Sequence, residues 1–184
     1  SPLTEIKLAR QGERFYLSDA GKNTEASGTF KVADKQLTLE LDIADNTIST
    51  PNPALEAWQQ DGIELFIDPE AYRLDSSNNG NYSQNIFRCF IRPRLKESEQ
   101  FKVWKNNLNI DATDFTCQVI NGEKGYKVIL TMALEKLNLK EAALGIEIKV
   151  SDAEGNNPPK RTLFFSGGHP EPYKNRSGFG IFKF

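Results

Sequence analysis

One histidine, one methionine, two cysteines and two tryptophans in 184 residues leave little material for several common kinds of site. The histidine, His169, sits in Ser166-Gly167-Gly168-His169-Pro170. A loop histidine beside glycines and a proline reads as exposed polar surface. There is no G-x-S-x-G elbow, no H-E-x-x-H pair and no phosphate-cradling glycine loop, so triad, zinc-hydrolase and nucleotide-binding chemistry lack their usual residues. Haem needs axial ligands such as His and Met. Met132, however, follows Tyr126, Val128 and Leu130 on one apolar face and reads as core filler. Cys89 and Cys117 each lie in a strand-like run. Their number excludes a disulfide framework and leaves either one bridge or two buried thiols. No apolar run approaches the roughly 18 residues of a membrane helix. Charge of one sign is also lacking: 23 basic and 25 acidic residues give a net −2, too little for a long-range pull on nucleic acid or an anionic membrane. The local basic cluster Arg88, Arg92, Arg94 and Lys96 reads as a solvated strand end and loop. Ser1-Pro2 opens directly in polar sequence with no signal peptide in view, so the expectation is a mature N-terminus or a domain cut from a longer chain.

What is abundant is alternation. Leu37, Leu39, Leu41 and Ile43 alternate with Thr38, Glu40 and Asp42, as in a half-buried strand. Ile63, Leu65 and Ile67 alternate with Glu64 and Phe66. Phe87, Cys89 and Ile91 oppose Ile86, Arg88 and Phe90, and Ile146, Ile148 and Val150 alternate with Glu147 and Lys149. Shorter strand candidates are residues 4–9, 12–17, 28–32, 101–104, 115–120, 161–166 and 180–184. Asn121-Gly122 predicts a hairpin, and residues 75–80 and 155–159 are loops by composition. Only residues 133–138, with Leu134 and Leu137 three apart, look helical, and for no more than a turn or two. The pattern predicts one all-β domain over residues 1–184, an antiparallel, jelly-roll-like β-sandwich with minimal helix.

The most specific stretch runs from Trp58 to Asp68. A tryptophan and polar residues precede a strand that exposes Glu64 opposite Ile63, Leu65 and Ile67. This run resembles the signature of family 9 carbohydrate-binding modules, in which an aromatic precedes a D-x-V-E strand. The stretch from Tyr82 to Ile91, with Arg88, is similar to that family's following strand carrying an arginine. Gly125-Tyr126-Lys127-Val128 through Leu134 and Leu137 resembles its G-Y-x-V-E strand and turn. Ala143-Leu144-Gly145-Ile146 through Asp152-Ala153 resembles its I-G-F strand ending in N-D-A, and Gly178-Phe179-Gly180 its closing F-G. The ordered match spans roughly Leu37 to Phe184.

The resemblance implies binding without catalysis, with no required cofactor. It implies Trp58 as a stacking platform, Glu64 and Arg88 as ligands for sugar hydroxyls, and Lys149 where the family has glutamine. Tyr173 falls near a second aromatic, tryptophan in the family, with Asn175 as a polar partner. A structural calcium is the one ion the resemblance allows. Two oxygen-rich clusters offer ligands for it: Asp68, Asp75, Asn78 and Asn81, and Asp152, Glu154, Asn156 and Asn157. The implied partner is a mono-, oligo- or polysaccharide, with no nucleic acid and no membrane span. The implied setting is extracellular or periplasmic, attached to or partnered with a glycoside-active enzyme of a polysaccharide-degrading system. Other readings remain on the same fold: a protein-interaction or surface-assembly module, and a haem-carrying electron-transfer domain. A hydrolase would need two carboxylates about 5–10 Å apart across a cleft, and period two sends Asp61 and Glu64 to opposite faces. Each ligand residue also has an ordinary structural role open to it. Trp58 could plug the sandwich end, Glu64 and Arg88 could be a surface ion pair, and Tyr173 could pack a loop. Trp104 reads as core or edge packing.

Overall fold

A computed structural model describes residues 6–18, 26–45, 51–71, 85–104, 106–153, 161–168 and 171–184. The alternating segments fold as two facing sheets. One sheet has the order β1 (Leu8–Arg10), β12 (Gly180–Lys183), β10 (Ala143–Asp152), β5 (Gly62–Asp68), β6 (Phe87–Ile91) and β7 (Phe101–Val103), with β11 (Arg161–Phe164) also paired to β10. The other has the order β2 (Phe15–Leu17), β3 (Ala26–Ala33), β4 (Gln36–Ala44), β9 (Gly125–Ala133) and β8 (Phe115–Gly122). All ladders are antiparallel except β1 with β12, which run parallel. The predicted helical turn is a 3-10 turn at Leu134–Leu137.

Period two decides the core. Leu37, Leu39, Leu41 and Ile43 of β4 meet Ile63, Leu65 and Ile67 of β5 and Ile146, Ile148 and Val150 of β10 in one apolar cluster. Met132 is buried there, as its position after Tyr126, Val128 and Leu130 implied. Phe30 and Phe182 stack across the gap with ring centroids 4.1 Å apart. Cys89 and Cys117 are free thiols in opposite sheets. Burial pushes the Cys117 thiol up to about 11 and Cys89 higher still.

Two expectations shift. The β8–β9 turn is Glu123-Lys124, closing on the Gly122–Gly125 pair, and Asn121-Gly122 are the last residues of β8. Gly125 fixes this register. Its φ is +147°, and a Cβ there would lie 2.0 Å from the Ile43 carbonyl oxygen. Secondly, β5 is buried on both faces rather than one. The chain after β11 returns over its outer face: the Phe179 ring lies 6.2 Å from that of Phe66, and Arg176 pairs with Asp68 at 3.3 Å.

Candidate functional site: the outer face of the larger sheet

Register places the predicted ligand residues side by side. Across the outer face, Phe164, Lys149, Glu64, Phe90 and Lys102 form one row through β11, β10, β5, β6 and β7. The next row holds Glu147, Phe66 and Arg88, and it continues to Trp104, whose N–H donates to the Arg88 carbonyl. Successive strands are about 4.8 Å apart, so these side chains are neighbours; Glu64, Phe66, Phe90 and Glu147 are buried at the centre, and Arg88, Lys149, Trp104 and Lys102 reach the surface around them. Gly62, at the head of β5, lets the Phe90 ring and the Ile91 carbonyl oxygen close in on the strand. A Cβ there would lie 3.0 Å from the Phe90 ring and 3.7 Å from Arg92.

Glu64 and Arg88 form an ion pair at 3.5 Å. It is not the solvated pair that sequence allowed, because Glu64 is only 3% exposed. The Arg88 guanidinium lies over two rings, 4.6 Å from the Trp104 centroid and 5.7 Å from that of Phe66. Cation–π contact of this kind orients a planar cation without using its N–H donors. Two polar atoms of the pair stay unsatisfied among the described residues: Glu64 Oε2 and Arg88 Nε are buried with no hydrogen-bond partner. A buried polar atom without a partner costs roughly 1–3 kcal/mol, a cost that a third polar group placed between the two would offset.

The other predicted residues stand apart from that pair. Trp58 is on the 3-10 turn Ala57–Gln59 leading into β5 and is 49% exposed, which rules out its plugging the sandwich. Tyr173 is 42% exposed, and its hydroxyl donates to Glu171 at 3.1 Å. Asn175 accepts from the Ser177 N–H at 2.7 Å. Among the described residues no hydrogen bond, ion pair or ring contact joins these three to Glu64 or Arg88. Trp104 does sit at a sheet edge, as expected, but against the ligand face. Strand alternation was the signal for it, since Lys102 and Trp104 share parity with Phe90 and Arg88.

Glu147 lies on the same face but is fully enclosed. Its Oε1 accepts from the N–H groups of Ile148 at 3.0 Å and Ser166 at 2.8 Å, and its Oε2 from Gly167 at 3.0 Å. Burial nonetheless raises its carboxyl to about 7, against the pull of those three amides and of Lys7.

The acidic residues sort differently from their sequence clusters. Asp75, Asn78, Asn81, Glu154, Asn156, Asn157 and His169 lie outside the described residues. Asp68 is enclosed with Arg176 at one end of β5. Asp152 is at the opposite end, where it meets Asp45 and Asp61. One carboxylate oxygen from each of these three lies within 4.8 Å of the others. Asp152 also pairs with Arg161 at 3.2 Å, and Asp61 accepts from the Ala153 N–H at 2.8 Å. Among the described residues the buried hydroxyl of Tyr126 has no hydrogen-bond partner, and its proton is held by burial and then by the charges of Asp61, Asp45 and Asp152. This set of hard oxygen donors, with an unsatisfied hydroxyl in electrostatic reach, fits a calcium-type cation. Sequence reasoning missed Asp45 and Asp61 as partners of Asp152 because three distant strand ends meet there.

A rigid β-sandwich with a ring-lined, charged outer face is the architecture of a binding module. The chain belongs to the carbohydrate family 9 binding domain-like family, whose model matches residues 10–184. That match bears out the expected class, a module that binds without catalysis, and extends further toward the N-terminus than the motifs did. No curated protein sequence matches the chain. Among solved structures it is similar to a family 9 carbohydrate-binding module from Caldicellulosiruptor kristjanssonii in complex with glucose. The identity is 17%, the TM-score 0.73, and 96% of this chain and 95% of that one are covered. The cellotriose complex of a family 9 module from the same organism matches at 17% identity and TM-score 0.69, covering 96% and 91%. At such identity these likenesses establish the sandwich fold.

Proposed function

We propose that this domain binds a pyranose on the outer face of the larger sheet, with Glu64 and Arg88 as its polar centre. The observation that carries this is the unsatisfied pair, one buried acceptor and one buried donor side by side. A sugar hydroxyl that enters beside Arg88, whose side chain is 29% exposed, would answer both once the pair parts to admit it, donating to Glu64 Oε2 and accepting from Arg88 Nε. Charge-assisted bonds of this kind are about twice as strong as neutral ones. Trp58 and Tyr173, both exposed, supply flat apolar surface for the C–H face of a ring, with Asn175 on the same segment as Tyr173. The solved relatives are described with glucose and cellotriose, and those are the ligands to try first.

Titration calorimetry tests the reading. Wild-type protein binds glucose or cellotriose, and Glu64→Gln or Arg88→Ala weakens binding by roughly tenfold or more, the range of one charge-assisted bond, while melting cooperatively. A folded protein that binds no sugar refutes the reading and favours a protein-interaction role.

In this reading residues 1–184 act as one non-catalytic unit. It works outside the cytoplasm and holds an attached or partner enzyme against a polysaccharide. The family match and the rigid sheet support that role, since a preformed face adds little ordering cost to binding. The same reading includes one structural calcium held by Asp45, Asp61 and Asp152, supported by the unsatisfied Tyr126 hydroxyl beside them. Bound calcium would balance three carboxylates that otherwise repel one another.

A further inference from the structure

The charges around the Glu64–Arg88 pair do not balance. Lys149 stands beside Glu64 in register, half-buried, and makes no hydrogen bond or ion pair among the described residues. On the other side, β6 turns Arg88 and Arg92 outward around Phe90, and Lys102 of β7 lies opposite Phe90. Lys102 Nζ sits 4.9 Å from the Trp104 ring, on the edge of the same patch. Arg92 is partly desolvated, which lowers its pKa, and its acidic neighbour is Glu99. The basic cluster read from sequence as a solvated strand end is therefore split. Arg88 and Arg92 face the patch, while Arg94 turns to the other sheet, bonding the Asn121 side chain and the Gly122 carbonyl.

Against these four cations the described residues set one central carboxylate, Glu64, which Arg88 already engages. Glu147 is sealed by three backbone amides with its proton partly retained, and Glu99 lies at the rim beyond β6. A neutral sugar leaves this surplus unanswered. A half-buried ammonium without a partner is unfavourable, and a close anion reverses that.

We propose that the sugar this site takes carries an acidic substituent, a carboxylate or a sulfate, which Lys149 contacts while Arg92 and Lys102 supply the surrounding positive field. The proposal rests on the sugar-binding reading and narrows it to a ligand class. In that class Lys149 becomes the specificity determinant of the site.

Titration of the intact chain with D-glucose, D-glucuronic acid and D-glucose 6-sulfate, at matched ionic strength, separates the possibilities. The expected result is at least about tenfold tighter binding of one or both anionic sugars than of glucose. That advantage shrinks as salt is added. Preference for glucuronate alone identifies a uronate-bearing glycan, and preference for the sulfate alone a sulfated one. Lys149→Gln brings the anion-to-glucose affinity ratio close to one. Lys102→Gln lowers the ratio less, and it keeps the test open if the first variant does not fold. Glucose binding as tightly as both anions overturns the proposal and leaves the sugar site standing. Failure of all three sugars to bind folded protein overturns the sugar reading itself.

Discussion

Glu147 shows how a single side chain can be pulled two ways. Three backbone N–H groups are aimed at its oxygens, an arrangement that favours the carboxylate, yet burial outweighs them and raises the carboxyl from 4.5 to about 7. The sign of the consequence follows from linkage. The folded state binds this proton more tightly than the unfolded state does. The resulting stability is complete below the unfolded value and is lost as pH rises through the folded one. Melting temperature should therefore fall between pH 4.5 and about pH 7, and Glu147→Gln should flatten that fall. A wild-type curve that is level or rising across the window would show that the three amides win and that Glu147 is ionised throughout. Glu64, two strands' width from the edge, is also buried but differs in having a part-exposed guanidinium for its neighbour.

At the scale of elements, the β3–β4 and β8–β9 hairpins of the smaller sheet use opposite devices. The β3–β4 turn places Asp34 and Lys35 at positive φ, 52° and 62°, the twist-matched geometry of a two-residue hairpin without glycine. The β8–β9 hairpin depends on Gly125, where backbone meets backbone. Gly125→Ala combines a φ of +147° with a clash against Ile43 and should destabilise the domain by about 3 kcal/mol, read by urea denaturation. The inward sets of β4, β5, β9 and β10 were legible in sequence because alternation survives wherever one face is dry. The outer face of β5 misled for a physical reason. Phe66 and Asp68 are covered by Phe179 and Arg176, more than 100 positions along the chain, and no local pattern carries that. Glu64 and Arg88 were readable from motif and parity. Trp104 was readable only once β6 and β7 were known to pair in this register.

Seen as a whole molecule, the sandwich carries its two candidate sites on different parts of the frame. The proposed sugar face belongs to one sheet. The acidic cluster joins both: Asp45 follows β4 of the smaller sheet, Asp61 precedes β5 and Asp152 ends β10 in the larger one. A cation there cross-links the layers at one end. Calcium at about a hundred times its dissociation constant should stabilise the fold by about 2.7 kcal/mol, seen as a rise in melting temperature that chelator reverses and Asp61→Asn abolishes. No such shift would mean that the protein's own groups, Arg161 among them, already balance the three carboxylates. Neither the cluster nor the charge surplus around Lys149 was visible along the chain, because both arise from strands that meet only in three dimensions. No helix among the described residues is long and apolar enough to cross a membrane.

The strand that bears Glu64 is enclosed above and below and flanked by β6 and β10. Its carboxylate is held between those strands, and the way to it runs past Arg88, the more exposed partner of the pair. Under the proposed reading, inherited change in what this domain recognises is channelled to the rim, to positions such as 102, 149 and 173, where a new side chain alters the ligand without weakening the protein that presents it.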